Sequence, residues 1–195
     1  MQENLGEAPT LAGNPASTVP PGTWVLDPDR STIEFVARHF VVSKVRGHFV
    51  NVQGTVVVPV DIMEARVEAW AESGSVETGD PARDDHLRSA DFFDSERYPS
   101  LYLVGGVVAL TGRGYQVRVQ MTIRDVTRTV DFDVLVGEVF TGGDGFPRLT
   151  ATGYAVVNRK DFGLRWNATI ETGGVVVADQ VELALEFELM RTGPA

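Results

Sequence analysis

Residues 114–136 read GYQVRVQMTIRDVTRTVDFDVLV, and this stretch decides the fold. Tyr115, Val117, Val119, Met121 and Ile123 are apolar, while Gln116, Arg118, Gln120 and Thr122 between them are polar. After Arg124-Asp125 the alternation resumes, with Val130, Phe132, Val134 and Val136 set against Thr129, Asp131 and Asp133. Successive side chains of a strand point to opposite faces, so a period of two with one polar face describes strands half covered by a core and half by water. A parallel sheet buries both faces, and these strands are therefore antiparallel.

Working outward, Val181, Leu183, Leu185, Phe187 and Leu189 repeat the pattern against Glu182, Glu186 and Glu188. Collecting such runs predicts eight strands, over 32–40, 45–58, 65–78, 100–110, 114–124, 128–138, 148–158 and 180–190. Thr111-Gly112-Arg113-Gly114 reads as a hairpin, and Thr141-Gly142-Gly143-Asp144-Gly145 as a looser one. Neither a fixed-period repeat nor a linker interrupts the body, so residues 23–195 are expected to form one domain. Residues 1–22 (MQENLGEAPTLAGNPASTVPPG) hold no Lys or Arg and no sustained apolar run; they read as a flexible tail without a signal peptide. The expected location is cytoplasmic.

The chain has 195 residues, 17 basic against 27 acidic, for a formal net charge of −10. Such a surface repels phosphate backbones, so nucleic acid is not an expected partner. Cysteine is absent, which removes disulfides, thiolate metal sites and cysteine nucleophiles.

One segment breaks the β pattern. In Gly79-Asp80-Pro81-Ala82-Arg83-Asp84-Asp85-His86-Leu87-Arg88, Asp80 reads as a helix N-cap and Pro81 as the first helical residue. Asp84 and Asp85 fall in the early turns, where the helix dipole favours negative charge. A second turn is expected over Asp91 to Glu96, stopped by Pro99. This insertion between the third and fourth strands is placed to cover the mouth of a barrel.

Eight antiparallel strands can form a sandwich or close into a barrel, and closure has the advantage of removing the sheet edges. Strands of eleven residues span about 36 Å. Taken as inward, the apolar phase includes the small residues Ala37, Gly54, Ala69, Ala71, Gly105, Ala109, Ala151, Gly153 and Ala155. Alanine and glycine do not reach a barrel axis, so the space is filled by larger residues opposite (Phe35, Phe132 and Phe187), by the helical lid, or by a long, thin, apolar ligand. The residues expected to touch such a ligand are Ile33, Phe35, Ala37 and His39 on the first segment, and Ala69 and Ala71 on the third. Val119, Met121, Phe132 and Val134 follow on the fifth and sixth, Ala151, Gly153 and Ala155 on the seventh, and Leu185 and Phe187 on the eighth. His86, Leu87 and Phe92 join them from the lid, with Phe162 and Trp166 beyond the seventh strand.

Catalytic motifs are sparse. His39, His48 and His86 show no HxH, HxxxH or HExxH spacing, so no sequence-local metal site is expected. GxSxG, Walker and GxGxxG motifs are also missing. Asp84, Asp85 and Asp91 could serve as acid and base, although capping and solvation account for them; Arg83, Arg88 and Arg97 could clamp a phosphate or pair with neighbouring aspartates. Asn158-Arg159-Lys160-Asp161-Phe162-Gly163 adds two cations at a rim, or is a tight turn with a glycine exit.

These segments carry a resemblance. Thr78-Gly79-Asp80, Arg83-Asp84, His86-Leu87-Arg88-Ser89-Ala90-Asp91-Phe92-Phe93-Asp94 and Tyr98-Pro99 resemble the helical motif of the YceI-like family. The block 122–128 resembles that family's mid-chain hairpin, 158–164 its late motif, and Ser31, Phe35 and His39 its opening strand; together they span about Trp24 to Met190. The resemblance implies a lipocalin-like eight-stranded antiparallel barrel that binds a polyisoprenoid or an isoprenoid quinone, often as a homodimer, without catalytic activity. Arg30 stands where the family often has histidine, which bears on headgroup preference at the mouth; Asp125 and Thr129 depart from its usual glycine and proline. Resident cofactors are not expected beyond that lipid. Three alternatives stand beside the isoprenoid carrier: a carrier of another amphiphile such as a fatty acid or amide, an enzyme acting on an amphiphile at the barrel mouth through His39 or His86 with Asp84 or Asp85, and a solid barrel serving as an interaction module.

Overall fold

The computed structural model describes residues 19–39, 43–167 and 177–193, with the backbone alone at His39. The strands are β1 (Gly22–Leu26), β2 (Thr32–His39), β3 (Ser43–Phe49), β4 (Val52–Val58), β5 (Arg66–Glu72) and β6 (Val76–Glu77). Helix α1 (Pro81–Arg88) follows, then β7 (Ser100–Thr111), β8 (Gly114–Ile123), β9 (Val126–Val136), β10 (Phe140–Thr141), β11 (Pro147–Asn158) and β12 (Val177–Gly193).

Every pairing is antiparallel, and the order β11-β9-β8-β7-β5-β4-β1-β12 returns to β11, closing an eight-stranded barrel. The closing pair is long, running in register from Arg148 opposite Met190 to Asn158 opposite Gln180. Strand β12 pairs with β1 along one half and with β2 along the other, so β1 and β2 occupy one position in the barrel. Strands β3 and β4 likewise share a position, as do β5 and β6. Connections alternate between two ends. The lid end carries α1, the 124–125 turn and the 159–167 segment; the far end carries the 59–65, 112–113 and 137–146 connections and the start of β1.

The expected eight-position barrel with its helix before the fourth long strand is thus present, with local corrections. Segment 45–58 is broken at Val50-Asn51, where Asn51 adopts φ +57°, a left-handed conformation that asparagine tolerates. Segment 65–78 is broken by a 3-10 turn at Ser73–Ser75. Strand β1 and the two-residue β10 lie outside the predicted runs because they are too short to show a period. Ala109 leaves the inward phase: the register slips between Val107 and Ala109, and the extra residue sets Ala109 opposite outward Gln116. Phe40 lies outside the described residues, as does most of the expected tail; within that tail Val19 packs on the core and Pro20 accepts the Trp24 indole N–H at 3.1 Å.

The core is the barrel's inner surface, with Trp24, Phe132 and Phe162 the largest fully buried side chains. Among the described residues no helix is long and apolar enough to cross a membrane.

Candidate functional site

The interior is hollow at both ends. A chamber of about 440 Å³ lies under the lid, and a second of about 130 Å³ lies toward the far end. Of the residues expected to touch a ligand, Ile33, Phe35, Ala37, Met121, Phe162 and Trp166 line the larger chamber together with His86, Leu87 and Phe92 from the lid. Ala69, Val119, Val134, Ala151, Gly153 and Phe187 line the smaller. Phe132 and Leu185 border both. Two expected residues line neither: Ala71 sits in the wall between Val52 and Leu101, and Ala155 lies opposite Leu183, where single-carbon side chains are covered by longer neighbours. The side chain of His39 lies outside the described residues; its backbone ends β2 at the lid end.

The sequence reading passed over Val45, Phe49, Phe93, Leu101 and Leu164 in the larger chamber and Trp24, Tyr115 and Leu149 in the smaller. For Phe49 a signal existed, since it is in step with Val45 and Gly47 at period two.

Three sets of hydrogen bonds hold the lid. Asp80 caps α1 by accepting the N–H groups of Ala82 and Arg83. Asp84, buried on the helix, accepts the backbone N–H and the hydroxyl of Thr78 on the incoming segment. Arg83 donates back to the Thr78 hydroxyl at 2.7 Å and carbonyl at 2.9 Å. Arg88 donates to the carbonyls of Gly74 (2.8 Å) and Val76 (2.9 Å) and pairs with Asp85 at 3.0 Å. The turns after the helix then cross the opening: Phe93 stacks edge-on against Phe49 of β3, and Arg124 in the β8–β9 turn donates to the Phe92 carbonyl at 3.4 Å.

Arg159 forms the other side of this end. Its guanidinium, almost fully buried, donates to the carbonyls of Leu164 (2.7 Å), Trp166 (2.8 Å), Ala178 (2.9 Å) and Val177 (3.2 Å) and reaches Asp179 at 3.4 Å. Burial lowers its pKa and Asp179 opposes that. The guanidinium therefore organises the 159–167 turn, which exits through Gly163 at φ +77°; Lys160 pairs with Asp179 at 2.8 Å.

Two polar side chains line the larger chamber from the lid, Arg83 and His86. The His86 ring lies edge-on to Phe92 and to Trp166, with centroids 5.1 and 4.7 Å away, and its Nε2 is 2.9 Å from Asp91 Oδ2. The pairing of His86 with Asp84 or Asp85 that the enzyme alternative invokes is not formed: Thr78 engages Asp84 and Arg88 engages Asp85. Among the described residues no group of three or more His, Asp or Glu is arranged to hold a metal.

Arg30 is placed at the far end, away from the lid mouth where its effect on a headgroup was expected. It pairs with Glu188 at 3.4 Å, beside Arg148, which also holds Glu188 and Asp27 at 2.7 Å and Asp144 at 2.6 Å. This cluster ties the β1–β2 connection, β12 and the base of β11.

The fold is similar to solved structures. Burkholderia cenocepacia BcnA superposes with a TM-score of 0.70 at 22% identity, covering 84% of this chain and 98% of that one. A polyisoprenoid binding domain from Saccharophagus degradans, implicated in plant cell wall breakdown, gives 0.65 at 16% identity, covering 87% and 98%. A UPF0312 protein of Staphylococcus aureus strain MSSA476 is 30% identical over 175 residues, covering 85% of this chain and 97% of the relative. The YceI-like domain model matches residues 24–189, nearly the whole barrel, and the chain belongs to that family.

Proposed function

We propose that the protein binds a long isoprenoid lipid, of the polyprenyl or isoprenoid-quinone type, inside the barrel, and that it stores or carries this lipid rather than transforming it. The observation that carries the reading is the 440 Å³ chamber under the lid, lined mostly by aliphatic and aromatic side chains alongside Arg38, Arg83, His86 and Arg159. Binding sites are typically concave and mostly apolar with a few polar groups. Dry apolar cavities of about 150 Å³ take up a benzene-sized molecule, so this volume matches on the order of three five-carbon units. A chain fits the elongated interior better than a compact ring system, because the space runs along the barrel axis between the two ends. The name of the Saccharophagus degradans neighbour supports the choice of an isoprenoid among apolar chains. At the lid end His86, Asp91 and Arg83 supply polar groups beside the mouth, where a headgroup would emerge.

Organic extraction of the purified protein, followed by mass spectrometry of the extract, tests the reading. The expected result is one equivalent of a prenylated lipid, or uptake of one when it is added to delipidated protein. Repeated recovery of protein that neither carries nor takes up any prenyl chain contradicts it.

A further inference from the structure

The two chambers meet at a waist. Leu103, Phe132 and Leu185 are the residues that border both, from β7, β9 and β12. Phe132 is 1% exposed, and its ring is the largest side chain of the three. Leu185 is held in place by the residue opposite it: Gly153 has no side chain, and a Cβ built there would stand 3.1 Å from Leu185 Cδ1. Leu185 thus lies across the Gly153 backbone and does not turn outward. Beyond the waist, the smaller chamber is walled by apolar groups, including Trp24, Val119, Ala151 and Phe187, and Arg66 is the one charged side chain there among the described residues. Arg66 is already engaged, with its Nη1 donating to the carbonyls of Glu64 and Ala65.

An apolar space of this kind, meeting the larger chamber at Leu103, Phe132 and Leu185, has no evident structural necessity. Closing it would take only a larger residue at Ala151, and dry voids are costly to maintain. We infer that Phe132, at the waist, sets the longest chain the barrel accepts, and that the smaller chamber takes up the distal end of a longer chain once that ring is removed. With the Phe132 ring at the waist, the larger chamber holds on the order of three five-carbon units. Removing the ring joins the chambers and admits about one more. The inference rests on the proposed lipid-binding function, and it concerns which chain lengths bind rather than whether one binds.

The test is a competition read by native mass spectrometry, with prenyl alcohols of 15, 20 and 25 carbons and straight-chain alcohols of 12 to 20 carbons as probes. The expected result is that Phe132→Ala raises the affinity ratio of the 20-carbon over the 15-carbon prenyl alcohol at least tenfold. Phe132→Leu, which disturbs packing less, shifts the ratio in the same direction by a smaller factor. Adding Ala151→Leu to Phe132→Ala refills the far chamber and returns the ratio to that of the wild type. An unchanged ratio in both Phe132 variants, with chains still bound, overturns the ruler while leaving lipid binding intact. If only straight-chain probes bind, the isoprenoid choice is wrong, and the same ratio read on those probes decides the role of Phe132. Failure of wild type and variants to take any probe overturns both.

Discussion

Asp84 on α1 accepts both the backbone N–H and the hydroxyl of Thr78, at 2.9 and 2.5 Å, joining the helix to the segment that leads into it. The carboxylate lies in the first turn, where the helix dipole favours negative charge, and it is buried as it fixes the lid. Asp84→Ala removes both bonds and leaves the Thr78 N–H without its partner. The expected loss is about 2 kcal/mol, the range for hydrogen bonds to a charged group. Amide hydrogen exchange across 81–99 should rise, while β8 and β9 keep their protection. Uniform acceleration over the whole barrel would show that the lid is not a separate unit.

Arg159 satisfies four main-chain carbonyls from one buried guanidinium. Arg159→Met strands those acceptors and should lower stability by about 3 kcal/mol or more, measured by urea unfolding. Arg159→Lys should recover little, since an ammonium presents its donors at a point and not as a planar fork. Near-complete recovery by lysine would mean that charge, and not the fork, matters here.

Gly105 in β7 approaches β8 so closely that a Cβ there would meet the Arg118 carbonyl and the Val119 Cα. Gly105→Ala must spread the two strands, and an overpacking loss of about 2 kcal/mol is expected. Gly112, in the hairpin between the same strands, has nothing within 4 Å of such a Cβ, so Gly112→Ala serves as the control with little change. Equal effects at the two positions would contradict the close approach.

The hydrogen bond from Arg148 holds the carboxyls of Asp27 and Asp144 below the usual range, and that from Arg118 does the same to Asp131. A carboxyl with a depressed folded pKa stabilises the fold above its unfolded value, and that contribution fades as pH falls through the lower folded value. Thermal stability should therefore hold from pH 7 to about 5 and decline below about 4. Arg148→Met should lower Tm at pH 7 and make the acid decline shallower. Parallel acid limbs for the variant and the wild type would show that the Arg148 cluster is not its source.

Much of this was legible in the sequence because long strands write their period plainly. Strands β8, β9, β11 and β12 are each ten residues or more, and their inward faces were placed residue by residue. The helix was legible from Asp80 and Pro81, whose capping chemistry is local. The breaks within segments 45–58 and 65–78 leave a trace in the sequence. Val45, Gly47 and Phe49 are in one phase and Val52, Gly54, Val56 and Val58 in the other; Ala69 and Ala71 are similarly out of step with Val76. A phase flip within one apolar run marks a turn. The division of the interior by Phe132, the burial of Arg159 and the His86–Asp91 pair depend on segments far apart in the chain meeting in space. Alternation within a strand carries no information about them.

The central claim is that an apolar chain occupies the inside of the barrel. The three tryptophans allow a direct measurement: Trp166 lines the larger chamber, Trp24 the smaller, and Trp70 lies on β5 between inward, buried Ala69 and Ala71, so it faces outward. In variants that each retain one tryptophan, a prenyl chain brominated along its length should quench Trp166 strongly at one equivalent and leave Trp70 unchanged. Equal quenching at Trp70 and Trp166, or none at Trp166 when the chain is bound, would contradict the account.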